Sequence, residues 1–217
     1  MNRENKSQLK KKQSQKKRLG KNNSSALLAP FFSGFDQKDA KKVFEMAYRV
    51  FSKTPSSEVV SLAFKAAWKM SEPDEAADAF ARIALLEEKN ADVQNDFGAL
   101  LYRSRRYEEA EAAFRQSLLV NPNDGQVLFN IGQTLMGQEK FLDAEDVFRE
   151  AISLKFATPM VFSGLGDALK EQRKFKESLE WFRRAFHQDA SNLHVRERYE
   201  KALWDSGTGF SEVERFY

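Results

Sequence analysis

Residues 91–124 read ADVQNDFGALLYRSRRYEEAEAAFRQSLLVNPND, and the next two stretches of 34 residues, 125–158 and 159–192, align beneath them without a gap. A small residue recurs at Gly98, Gly132 and Gly166, and an aliphatic one at Leu101, Leu135 and Leu169. An aromatic follows at Tyr107, Phe141 and Phe175, then a small residue at Ala110, Ala144 and Ser178. A bulky ring stands at Phe114, Phe148 and Phe182, and a last small column at Ser117, Ala151 and Ala185. Self-similarity at a fixed period of this length is the signature of a repeat architecture.

Within one period the apolar residues fall at helical spacing on two segments joined by a short turn. The small columns let the two helices approach closely, and the phenylalanine plugs the seam between one pair and the next. In NPND (121–124) Asn tolerates a turn and Pro cannot continue a helix, so the second helix ends there. One hairpin cannot bury both its faces, so the pairs must stack. The predicted fold is therefore all-α, an α-solenoid of stacked antiparallel helix pairs.

These columns resemble the tetratricopeptide repeat (TPR) family. The Trp usual near the start of each unit is replaced by Gln94, Leu128 and Phe162, and the terminal Pro survives only as Pro122, with Phe156 and Ala190 in the later units. One period upstream, residues 57–90 keep Ala76, Phe80 and Ile83 in frame. Phe64 stands there for the glycine and Pro73 for the aromatic, which makes that unit degenerate. The organisation expected is a basic tail (1–25), an N-terminal segment (26–56) with a helix at about 36–52 acting as a half-unit, the degenerate repeat 57–90, and three full repeats. A capping helix (193–205) and a C-terminal tail (206–217) complete it.

The 217 residues carry a formal net charge of +3. Its distribution is lopsided: residues 1–21 hold nine Lys/Arg against Glu4 alone, leaving the remainder mildly acidic. The tail cations Lys10, Lys11, Lys12, Lys16, Lys17, Arg18 and Lys21 lie in a stretch poor in apolar residues, so disorder is expected. Such a tail is a candidate for non-specific, salt-sensitive contact with nucleic acid, including ribosomal RNA, or with an anionic membrane surface. It lacks the interleaved aromatics that would stack on bases. The apolar run ALLAPFF (26–32) behind it is interrupted by Pro30 and preceded by too long a charged stretch to read as a signal peptide.

Catalysis has little to stand on. The chain has no cysteine, which excludes disulfides, thiolate chemistry and cysteine-ligated metals and fits a cytoplasmic setting. Its two histidines, His187 and His194, have no ligand spacing around them and read as structural. No phosphate-binding glycine motif occurs. The acids in YEEAEAAF and DAEDVF read as solvated outer faces with helical charge pairing. No enzyme activity, cofactor or metal is expected.

The resemblance implies instead a protein-binding adaptor, scaffold or chaperone whose first helices line a concave groove for a partner protein or peptide. Carried onto this sequence, the groove comprises Asn95 and Tyr102, then Gln126, Phe129, Asn130, Gln133 and Met136, then Ser163, Asp167 and Lys170. Some family members grip a terminal carboxylate with Lys, Asn and Arg on successive helices. Asn130 matches the middle position, but Asn95, Ala99, Met160 and Gly164 stand where the flanking groups belong, so that clamp is not expected. Apolar anchoring through Tyr102, Phe129 and Met136 is expected in its place. A narrower role the family offers is a chaperone of type III secretion translocators, with helix 36–52 dimerising; the basic tail is foreign to it.

Overall fold

The computed structural model describes residues 27–206; both charged and aromatic tails lie outside the described residues. Every regular element described is helical, with eleven α-helices, one 3-10 turn and no strand among the described residues. The chain divides into two compact units, Met1–Leu86 and Glu87–Tyr217.

The first unit holds a short α1 (Ala29–Phe32), a 3-10 turn (Gln37–Asp39), α2 (Ala40–Phe51), α3 (Ser57–Lys69) and α4 (Pro73–Ala84). The helix expected at about 36–52 thus begins as a single 3-10 turn and becomes α-helical at Ala40. Pro73, out of place as an aromatic, is well placed as the opening residue of α4, where its missing N–H is not needed. Val43, Phe44, Ala47 and Phe51 of α2 are buried, as are Leu62, Ala63, Ala66 and Ala67 of α3. At the surface Arg82 donates to Glu45 at 2.9 Å and lies over the ring of Tyr48, its guanidinium 3.7 Å from the centroid.

The second unit contains three helix pairs and a closing helix. The pairs are α5 (Ala91–Arg103) with α6 (Tyr107–Val120), α7 (Gly125–Gly137) with α8 (Phe141–Ser153), and α9 (Pro159–Glu171) with α10 (Phe175–Gln188); α11 (Leu193–Asp205) follows. Each helix packs on its partner, and each second helix packs on the next first helix. The first helices also touch one another in series, α5 to α7, α7 to α9 and α9 to α11, and so form one continuous face.

Phenylalanine and glycine fix the spacing of these helices. Phe114, Phe148 and Phe182 are fully buried. A Cβ on Gly98 would lie 2.7 Å from the ring of Phe114, and one on Gly166 would lie 2.9 Å from that of Phe182. Phe148 fills two such places, against Gly132 in its own pair and against Gly164 in the next, where a Cβ would lie 2.7 Å from the ring. One ring therefore sets both the intra-pair and the inter-pair distance. The small column is polar where it needs to be: Ser117 donates to the Ala91 carbonyl at 2.8 Å, and Ser178 to that of Gly166 at 2.7 Å.

A capping residue also recurs with the period. Ser56, Asn90, Asp124, Thr158 and Asn192 each accept a backbone N–H with a side-chain oxygen at the start of a first helix. NPND thus ends one helix and, through Asp124, starts the next.

The acids of the second helices are not all solvated. Glu145 is only 8% exposed, and its carboxylate accepts from Gln172 and Lys174, each at 2.9 Å, and from Arg149, also at 2.9 Å. Glu111 repeats the arrangement with Gln138 and Arg115 at the preceding seam. The expected i,i+4 pairing with Arg115 and Arg149 is present, but the next first helix covers the carboxylates from the other side. At the last seam Leu179 takes this position and packs beside Phe182, Tyr199 and Leu203.

Candidate binding face

The residues assigned to a groove lie on three first helices of the second unit, and the structure sorts them into three groups. A chain of side-chain amides joins α5 to α7. Asn130 donates from Nδ2 to Asn95 Oδ1 at 3.0 Å and accepts at its own Oδ1 from Gln126 Nε2 at 3.2 Å. Thr134 anchors the same turn by donating to the Asn130 carbonyl at 2.7 Å. Asn95, Gln126 and Asn130 are thus brought together as one oriented track.

Beside it lie apolar side chains left partly open. Tyr102 is 37% exposed, its ring 5.6 Å from that of Tyr107. Phe129 is half-buried, with its ring 6.1 Å from that of Phe148, so its inner edge belongs to the core and its outer edge to the face. Gln133 and Met136 are half-buried one and two turns on, and Met160 of α9 is 38% exposed.

The third group is ionic. Asp167 pairs with Arg198 of α11 at 2.9 Å and with Lys170 at 3.5 Å, and Lys170 also reaches Glu171 at 3.6 Å. Burial nonetheless holds the Asp167 carboxyl above its ordinary range, against the pull of both cations.

Ser163 corrects the sequence-based assignment. It occupies the column of Asn95 and Phe129 but is 1% exposed, so it offers nothing to a partner.

Asp96 is the residue that periodicity passed over. It lies half-buried on α5, one turn beyond the exposed Asp92. Burial, reinforced by the charge of Asp92, pushes its carboxyl up to about 7. In the 34-residue register Asp96 corresponds to Asn130, Gly164 and Arg198. The signal was present in the sequence as an acid in a column of dissimilar residues.

Among the described residues no group of His, Asp and Glu is placed to hold a metal ion, and no helix is long and apolar enough to cross a membrane. His194 is exposed, 4.0 Å from Glu197, and the ring of His187 lies tilted to that of Phe186, with centroids 6.2 Å apart.

A family profile described as tetratricopeptide repeat matches residues 62–124, 95–159 and 129–192. No curated protein matches the chain in sequence. Solved structures match its fold. A tetratricopeptide repeat protein from Parabacteroides merdae is 15% identical with a TM-score of 0.70, over 85% of this chain and 73% of that one. A thermophilic TPR protein of Thermus thermophilus, TTC0263, is 17% identical with a TM-score of 0.58, over 85% and 99%. The first TPR of Spaghetti (RPAP3), bound to the HSP90 peptide SRMEEVD, is 18% identical with a TM-score of 0.52, over 56% and 96%.

Proposed function

The chain belongs to the tetratricopeptide repeat family, and on that premise we propose that it is a non-catalytic protein-interaction module, an adaptor, scaffold or chaperone. Its first-helix face in residues 91–205 holds a segment of a partner protein. The observation that carries this reading is the amide track Asn95–Asn130–Gln126 running beside the open edges of Tyr102, Phe129 and Met136. Oriented amides satisfy the N–H and C=O groups of an extended backbone, while rigid aromatic edges supply area at low entropic cost. Recognition needs no reaction, because the face is preformed by core packing.

The Spaghetti structure, with a peptide on the same fold, supports a peptide-sized ligand. A grip on a terminal carboxylate is disfavoured for this chain. Asn95, Ala99, Met160 and Gly164 stand where the clamp's flanking groups belong, and the cation Arg198 at the far end is paired with Asp167.

The test is a pulldown from the native extract with the full chain, its Phe129→Glu and its Tyr102→Glu variants, followed by mass spectrometry. Partners captured by the parent are expected to be lost by roughly tenfold or more from both variants, with unchanged helical circular dichroism. Undiminished capture would remove the face from consideration.

A further inference from the structure

Two half-buried aspartates stand on the first-helix face, and they differ in one respect. Asp167 has its counter-ion supplied from within the fold, the guanidinium of Arg198 at 2.9 Å with Lys170 at 3.5 Å. Asp96 has no ion-pair partner among the described residues of its unit; the one charge that acts on it is the like charge of Asp92, a helical turn away. A carboxylate withdrawn from water without a partner raises the free energy of the chain. Nothing in the core requires an acid at this position: its counterparts in the later repeats are Asn130, which takes part in the amide track, and Gly164.

Resting on the binding face described above, we propose that the held segment presents an Arg or Lys side chain to Asp96 and Asp92, with an apolar side chain of the same segment seated on the edges of Tyr102 and Phe129. Charge complementarity argues for this occupant. The α5 end of the face carries Asp92 and Asp96, the α7 stretch is neutral through Gln126, Phe129, Asn130, Gln133 and Met136, and the acid of the α9 stretch is internally compensated. The Asp167–Arg198 pair demonstrates that a guanidinium fits beside an acid on this surface. Neighbouring helix axes lie about 8–10 Å apart and an extended chain advances ~3.3 Å per residue, so the basic and apolar positions are separated by about three residues. An acidic segment is repelled by the same two carboxylates.

A randomised dodecapeptide library displayed on phage, panned on the full-length protein, tests the inference. Enriched sequences are expected to share an Arg or Lys about three positions from an aliphatic or aromatic residue. Panning on Asp96→Asn is expected to erase the basic preference and keep the apolar one. With the best enriched peptide in fluorescence anisotropy, replacing its Arg by citrulline should weaken binding to the parent about tenfold and leave binding to Asp96→Asn within twofold. Thermal melts of Asp96→Asn confirm that it folds. Enrichment of apolar peptides with no basic position, enrichment of acidic ones, or equal citrulline losses on both proteins overturns the inference while leaving the binding face intact. If nothing enriches, or if Phe129→Glu enriches the same peptides as the parent, the face itself fails and the inference with it.

Discussion

Gln172, at the end of α9, donates from Nε2 to Oε2 of Glu145 on α8 at 2.9 Å, and the same nitrogen reaches the Phe141 carbonyl at 3.2 Å. One amide thereby ties the first helix of a repeat to both the start and the middle of the preceding second helix. Gln138 makes the corresponding contacts with Glu111 and Tyr107 one repeat earlier. The lock recurs because its three residue types recur with the period.

Removing the lock should cost stability in a pH-dependent way. Burial opposes ionisation of Glu145, but hydrogen bonds from Lys174, Gln172 and Arg149 outweigh it and hold the carboxyl down at about 2. A depressed carboxylate contributes stability above its unfolded pKa, near 4.5, that is lost as the pH falls through about 2. Glu145→Gln is therefore expected to lower stability by about 1–3 kcal/mol at pH 7 and by progressively less towards pH 2.5. Urea denaturation of both proteins across this range measures the difference.

Asp96 should show the opposite sign. Its carboxyl is raised to about 7 from 3.8, so its stabilising protonation is complete below pH 3.8 and is lost as the pH rises through 7. Asp96→Asn is expected to be more stable than the parent by about 1–2 kcal/mol at pH 8, with the gain fading by pH 4. Carboxyl chemical shifts followed by NMR give the midpoint of Asp96 directly.

Adding a methyl group at a seam should be costly. Gly132→Ala and Gly164→Ala each drive a Cβ into the buried ring of Phe148, one from its own pair and one from the next. Each is expected to lose about 1–3 kcal/mol in thermal or chemical unfolding. Combining Gly132→Ala with Phe148→Leu should lose less than the sum of the two single changes, because the smaller side chain frees the space.

Turn residues offer stabilisation. Arg105, Glu139 and Arg173 occupy the same turn in three successive repeats with φ of 61°, 61° and 62°. Their backbones are left-handed, a conformation that disfavours side chains by roughly 1–2 kcal/mol. In each, the following N–H returns to a leucine carbonyl in the last turn of the first helix, Arg106 to Leu101, Lys140 to Leu135 and Lys174 to Leu169. Glu139→Gly is expected to raise stability by up to about 1 kcal/mol, less the backbone entropy that glycine adds to the unfolded chain. A calorimetric melt reads the shift.

The stacked helix pairs and the phenylalanine seams were legible from the sequence, whereas Tyr107, grouped there with the first helix, opens the second. Apolar periodicity records which side of a helix must leave water, and a 34-residue repeat makes that record redundant. The amide track was legible in part, since Asn95, Gln126 and Asn130 stand in face-forming columns. The capping column from Ser56 to Asn192 was equally present and went unread, because its residues share a hydrogen-bonding role and not a chemical type.

Polar side chains at seams were decided by tertiary structure alone. Ser163 and Glu145 sit at helix positions that periodicity assigns to the outside, yet both are buried. Whether a carboxylate there is stabilised or stranded depends on what a residue about 30 positions away can reach: Lys174 and Gln172 reach Glu145, Arg198 reaches Asp167, and no cation among the described residues of its unit pairs with Asp96. Hydrophobic burial follows the chain's own period, and so the sequence determines the repeat. Electrostatic compensation follows distances between helices, and only the packed structure sets those.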